Sequence, residues 1–216
     1  MNQTQEMTNF KEIKKLFEIT QENGFTEREI LAYQHVCDNI PKVLFDYYLQ
    51  LGKIQELNHT QDNLLAPNQL KLSEKEDYVI FYIENQWACV WGISKNDLNL
   101  DNPPIYMSTD EIDWELECSS LTDFLYAIAN LQAAFALPFN AEEFYNVSLS
   151  SLEIIRRNFK KRDVALTKWI GIEFYGNFDN DVIAVMKNDG DYDLIYASKS
   201  EHQFKQMNDI LYELAE

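Results

Sequence analysis

A chain of 216 residues with 46% hydrophobic content and only 6 Gly and 5 Pro is long enough to bury a sizeable core and too apolar for disorder to dominate. Its 36 Asp and Glu against 18 Lys and Arg give a formal net charge of -18, which repels phosphate backbones and anionic lipid surfaces and so disfavours nucleic-acid and membrane binding. The same acidity suits a basic protein partner, or serves only to keep the chain dissolved.

Cys37, Cys89 and Cys118 are odd in number and lack CxxC spacing, so buried free thiols in a reducing compartment are expected. The opening stretch MNQTQEMTNFKEIKK lacks the apolar core of a signal peptide, and the longest apolar stretch, 121–139, is broken by Asp123, Asn130, Gln132 and Pro138. A cytoplasmic protein without a membrane span is the expectation.

Along the chain, Phe10, Ile13, Leu16, Phe17 and Ile19 fall at helical spacing, which predicts a helix over 9–23 stopped by Gly24. Thr26 and Glu29 form a capping box that opens a second helix reaching about Asp38. Pro41 fits the first position of a third, which stops at Gly52. The pattern then loses its periodicity, and 58–63 reads as a surface loop. Residues 78–93, YVIFYIENQWACVWGI, hold two apolar runs around Glu84, Asn85 and Gln86, as in a hairpin covered on both faces. Residues 105–107 and 112–116 look like two short strands. Ser120 caps a helix, LTDFLYAIANLQAAFAL, that is apolar over most of its circumference and should lie against the sheet. Residues 148–162 are ambiguous, with a short helix running into the basic RRNFKKR. Strand-like runs at 169–175, 182–187 and 192–197 follow, the last two flanking an Asn-Asp-Gly-Asp turn. Ser198 and Glu201 suggest the cap of a final helix with Phe204, Met207, Ile210, Leu211 and Leu214 on one stripe. Tight turns between strands favour an α+β fold with a largely antiparallel sheet and helices packed on it.

The order of the capping-box helix at Thr26, IPKVLFDYYLQLG at 40–52, the 78–93 hairpin, NPPIYMS at 102–108 and SLTDFLYAIANLQAAF at 120–135 resembles the SUKH superfamily. That family comprises bacterial immunity proteins and a yeast cell-wall-synthesis regulator. The likeness covers roughly Phe25 to Ala136 and continues more loosely to the C-terminus. It departs where family members commonly have a Gly-rich turn and this chain has GKIQELNHT. The resemblance implies one SUKH-like α+β domain over 1–216, with 1–24 as an N-terminal elaboration. In bacterial members it implies a non-enzymatic protein that neutralises a toxin, often a nuclease. An intracellular scaffold or regulatory domain is the alternative.

Catalytic and metal chemistry find little support in the residues. His35, His59 and His202 are scattered, and Cys37 with His35 two apart on a helix would point different ways. NDGDYD at 188–193 lacks the spacing of a calcium loop and reads as a hairpin turn. No metal or cofactor is expected. In 108–117, Glu111, Asp113, Glu115 and Glu117 alternate with Ile112, Trp114 and Leu116, so a strand would gather the acids on one face. That face is either a solvated, aggregation-guarded edge or a docking stripe for the Lys and Arg of a toxin. Asp179 and Asp181, with Asp189, Asp191 and Asp193, extend it if the hairpins lie side by side. RRNFKKR is expected to offset neighbouring acids within the fold or across a dimer contact rather than to bind nucleic acid. Tyr78, Phe81, Tyr82, Trp87 and Trp91 are expected mainly in the core, and an exposed Trp among them would make an interface anchor.

Overall fold

The computed structural model describes residues 7–32 and 39–214. His35, Cys37 and the expected continuation of the second helix to about Asp38 lie outside them. The fold is α+β, with two antiparallel sheets and the helices packed on them. The first sheet is a meander of β3 (Tyr78–Ile83), β4 (Val90–Ser94), β5 (Ile105–Ser108) and β6 (Glu115–Cys118), with the two-residue strands β1 (Asn63–Leu64) and β2 (Lys71–Leu72) both pairing with β3. The second runs β9 (Lys161–Leu166), β10 (Ile172–Tyr175), β11 (Asp181–Asn188) and β12 (Asp191–Ser198), with β7 (Phe139–Asn140) and β8 (Tyr145–Val147) on the far side of β12. The β11–β12 turn is the expected Asp189-Gly190, both at positive φ, with Asn188 opposite Asp191.

Seven helices are described: α1 (Lys11–Leu16), α2 (Glu27–Leu31), α3 (Lys42–Leu51), α4 (Gln55–Asn58), α5 (Leu121–Ala136), α6 (Leu149–Asn158) and α7 (Glu201–Leu211). Helix α5 starts as expected, with Ser120 Oγ accepting the Asp123 N–H at 3.1 Å. On one side its Phe124 meets Phe81, Tyr82 and Trp91 of the first sheet at centroid distances of 5.5, 5.7 and 5.7 Å. On the other it packs on β9, β11 and β12. The buried apolar side chains of both sheets form one continuous cluster. None of the described helices is long and apolar enough to cross a membrane. Cys89 and Cys118 are buried free thiols.

Several elements differ from expectation for identifiable reasons. Helix α1 ends at Leu16 rather than near Gly24, because Glu18 takes a left-handed φ of 51° and the Ile19 N–H returns to the Lys14 carbonyl. Helix α3 has Pro41 as its cap rather than its first residue. The cap of α7 is Ser200, while Ser198 Oγ accepts the Ser200 N–H at 3.1 Å. The basic run is divided between the end of α6 and β9, and it does offset acids: Arg156 with Glu153 and Glu173, Lys161 with Glu173, Arg162 with Asp181.

The largest difference is at 58–63, where Asn58 and Asp62 are fully buried. The Asn58 side chain accepts from Tyr47 Oη at 2.9 Å and donates to the Leu51 and Ile54 carbonyls at 2.7 and 3.0 Å. Gln132 of α5 supplies the hydrogen bonds of 60–62: its Oε1 accepts from the Thr60 and Gln61 N–H groups at 3.2 and 2.7 Å, and its Nε2 donates to the Asp62 carbonyl and Tyr82 Oη at 2.6 and 2.7 Å. The Asp62 carboxyl lies beside Glu84, with Oδ2 unpartnered, and burial first and the Glu84 charge second push it up to about 7. Its ordinary value in the unfolded chain is near 3.8. Asp62 therefore favours folding fully below pH 3.8, and that contribution is lost as pH rises through 7, a difference of the order of 4 kcal/mol. Asp62→Asn is expected to raise the melting temperature at pH 8 more than at pH 5. Parallel pH profiles of the two proteins would contradict this assignment.

Candidate interaction surface

Strand registers place Lys71, Ile80, Gly92, Tyr106 and Leu116 opposite one another across β2 to β6, in one row. Trp91, whose side chain meets Phe124, points to the other face, so this row lies on the side turned away from α5. An aromatic layer covers it. Trp114 stacks on Tyr78 at 4.2 Å and 12°, and Tyr78 meets Tyr106 edge-on at 5.4 Å. Gly92 makes room for this layer: a Cβ there would come within 2.9 Å of the Trp114 ring and 3.1 Å of the Val79 carbonyl.

The acidic stripe is different from the one the alternation predicted. Residues 109–114 form a turn, because Asp110 Oδ1 accepts the Ile112 and Asp113 N–H groups, both at 2.9 Å, and Ser108 Oγ at 3.0 Å. Those bonds hold the Asp110 carboxyl below its ordinary pKa. Glu111 is left-handed at φ 60°, so the period-two rule fails here and Ile112 and Leu116 stand 38% and 49% exposed. Glu111, Asp113 and Glu115 still follow one another along the rim. Glu111 pairs with Lys71 at 2.6 Å, Glu115 with Lys168 at 3.2 Å, and Asp113 is exposed.

Glu117 leaves this group altogether. It is buried, its Oε1 accepting the Thr167 and Lys168 N–H groups at 2.6 and 3.0 Å and its Oε2 facing Trp91 Nε1 at 3.4 Å. Its carboxyl group joins the two sheets and is withdrawn from solvent. Asp179 lies in the turn before β11, and Asp181 is the first residue of that strand. Asp179 pairs with Lys15 at 3.0 Å. Asp181, 1% exposed, accepts the Phe178 N–H at 3.2 Å, and burial pushes its carboxyl up to about 6. Asp189, Asp191 and Asp193 occupy the opposite end of that hairpin, about 20 Å away along eight-residue strands, so the five acids do not form one patch. His59 and His202 are exposed, and no group of three His, Cys, Asp or Glu that could hold a metal occurs among the described residues.

The surface residue with most character is one expected in the core. Trp87 sits at the β3–β4 bend, 57% exposed, with φ 62°. The buried Glu84 builds this bend: its carboxylate accepts the Gln86 and Ala88 N–H groups at 2.7 and 3.0 Å, and its carbonyl the Trp87 N–H at 3.0 Å. The backbone thus imposes on position 87 a conformation that suits glycine, and an indole occupies it. Lys71 Nζ lies 4.9 Å from the indole centroid. Beside it a groove of about 250 Å³ runs between Trp87 and Glu111, lined also by Glu74 and Ser108.

Replacing Gly92 with Val is expected to lift Trp114 off Tyr78 and to destabilise the fold by about 1–3 kcal/mol. Near-UV circular dichroism and thermal unfolding would register both effects, and unchanged aromatic signals would disprove the seating of Trp114 on Gly92. Comparison of the chain with protein-family models, curated proteins and solved structures returned no match.

Proposed function

We propose that this protein is a SUKH-like immunity protein that binds a basic bacterial toxin domain through the outer rim of the first sheet and blocks it without catalysis, in the cytoplasm of the cell that makes both. The observation that carries the choice of surface is Trp87. A bulky residue in the left-handed region costs of the order of 1 kcal/mol, and an indole more than half exposed returns little of that through burial. Its placement gains most when a partner covers it, as a central aromatic anchor does. Around it the rim presents Glu74, Asp110, Glu111, Asp113 and Glu115, and the groove between indole and carboxylates has the chemistry to take a Lys or Arg side chain. Lys71 already makes that pair within the chain.

The test is co-expression with the toxin domain encoded beside the gene, followed by pull-down and growth rescue. Trp87→Gly is expected to leave the melting temperature unchanged or slightly raised, because glycine relieves the backbone, while weakening the complex at least about tenfold. Asp113→Lys with Glu115→Lys is expected to slow association and flatten its decline with ionic strength. A complex indifferent to all three substitutions would place the interface elsewhere. Undiminished toxicity in the presence of folded protein would reject immunity in favour of a scaffold or regulatory role.

A further inference from the structure

A cavity of about 360 Å³ lies between α1, α5 and β9, on the side of α5 away from the acidic rim. Four buried side-chain atoms among the described residues have no hydrogen-bond partner, and two of them belong to residues lining this cavity: the Asn130 Oδ1 acceptor and the Arg162 Nε–H donor. Asn130 is only 6% exposed and its Nδ2 is already committed to the Tyr126 carbonyl at 2.7 Å, so Oδ1 has no second route to satisfaction. Arg162 is held by Nη2 bonds to the Phe178 and Asp181 carbonyls at 3.0 and 2.6 Å and faces the Asp181 carboxylate at 3.7 Å, which leaves its Nε–H edge for a ligand. A buried orphan of either kind is destabilising by about 1–3 kcal/mol, and one orphan donor with one orphan acceptor on the same cavity describes what a ligand there must offer.

The other charges on the lining narrow the class. Glu12, Asp163 and Lys160 line the cavity and make no side-chain hydrogen bond or ion pair among the described residues, whereas Lys161 is engaged by Glu173 at 2.6 Å and the Asp123 carboxylate accepts from Ser120 Oγ at 2.8 Å. A simple anion such as phosphate would meet Arg162 and Lys160 but also the carboxylates of Glu12, Asp123 and Asp163. A polyamine would meet the carboxylates but also both cations. A molecule carrying one carboxylate and one ammonium satisfies each set. Ile13, Leu16, Ala129 and Val164 form the apolar remainder of the wall, room for an aliphatic side chain. We infer that this cavity binds a small zwitterion of the apolar α-amino acid class, with its carboxylate toward Arg162 and Lys160 and its ammonium toward Asn130 Oδ1 and Glu12.

Calorimetric titration of the full chain with L-leucine tests this, with 4-methylpentanoate, 3-methylbutylamine, inorganic phosphate and spermidine as comparison ligands. Leucine is expected to bind in the millimolar range or tighter, and the molecules lacking either charge at least about tenfold more weakly. Asn130→Leu is expected to abolish binding and to change the ligand-free melting temperature little, since it removes an unpartnered oxygen along with the single Nδ2 bond to the Tyr126 carbonyl. Glu12→Gln, exposed on α1, is expected to weaken leucine and leave 4-methylpentanoate unchanged. Absence of a leucine signal at millimolar concentration would mean that the cavity holds water only and would overturn the inference. Tighter binding of phosphate or spermidine, or leucine binding that survives both substitutions, would overturn it equally.

Discussion

Helix α5 has almost no face to give to water. Phe124, Leu125, Ala127, Ile128, Ala129, Leu131, Ala133 and Ala134 are buried around its whole circumference, and an all-round apolar helix is stable only where other elements enclose it. One sheet cannot do that, because it covers one side. The two meanders are the solution: the first closes on Phe124 through an aromatic cluster, and the second lays β9, β11 and β12 along the opposite side. Where they approach each other, Glu117 of the first accepts the backbone N–H groups of Thr167 and Lys168 from the second, and Trp169 sets its ring edge-on to Trp91 at 5.7 Å.

That enclosure also decides what remains for the surface. Polar side chains that α5 carries into the interior must be satisfied there, and Gln132 is, with four hydrogen bonds that pin the 60–62 segment. Asn130 is half satisfied and opens on a cavity. The first sheet, with its inner face taken by the helix, has its outer face left for an aromatic layer and a rim of carboxylates. The proposed partner surface and the proposed ligand cavity thus lie on different sides of the one helix.

Features set by neighbours in sequence were legible beforehand: the Asp189-Gly190 hairpin, the Ser120 cap, the β3–β4 pairing and the buried thiols of Cys89 and Cys118 each follow from a few adjacent residues. What was hidden depends on distant groups or on a single side chain overriding a pattern. Residues 58–63 look like a polar loop because Gln132, seventy positions on from Asp62, provides the partners of 60–62. The alternation at 111–117 has the period of a strand, and one carboxylate, Asp110, folds its first half into a turn. Of the acids singled out, the rim keeps Glu111, Asp113 and Glu115, while Glu117 and Asp181 went inside because hydrogen-bond donors waited there. Strands of two or three residues, such as β1, β2 and β7, are too short to carry any period. Trp87 directly follows the Glu84-Asn85-Gln86 trio, and nothing in the sequence separates it from the apolar run behind it to say that the bend takes in one residue more.

The bend at 84–89 is closed by Glu84, by Asp62 Oδ1, which accepts the Asn85 N–H at 3.4 Å, and by main-chain groups; the side chain of residue 87 takes no part in closing it. Its identity is therefore decoupled from the architecture beneath. A lineage could exchange the indole for another group in a single codon change, altering what the surface prefers while leaving the sheet, the helix and the core undisturbed. A scaffold that separates the position facing the outside world from the positions that hold it up can diversify quickly, one residue at a time.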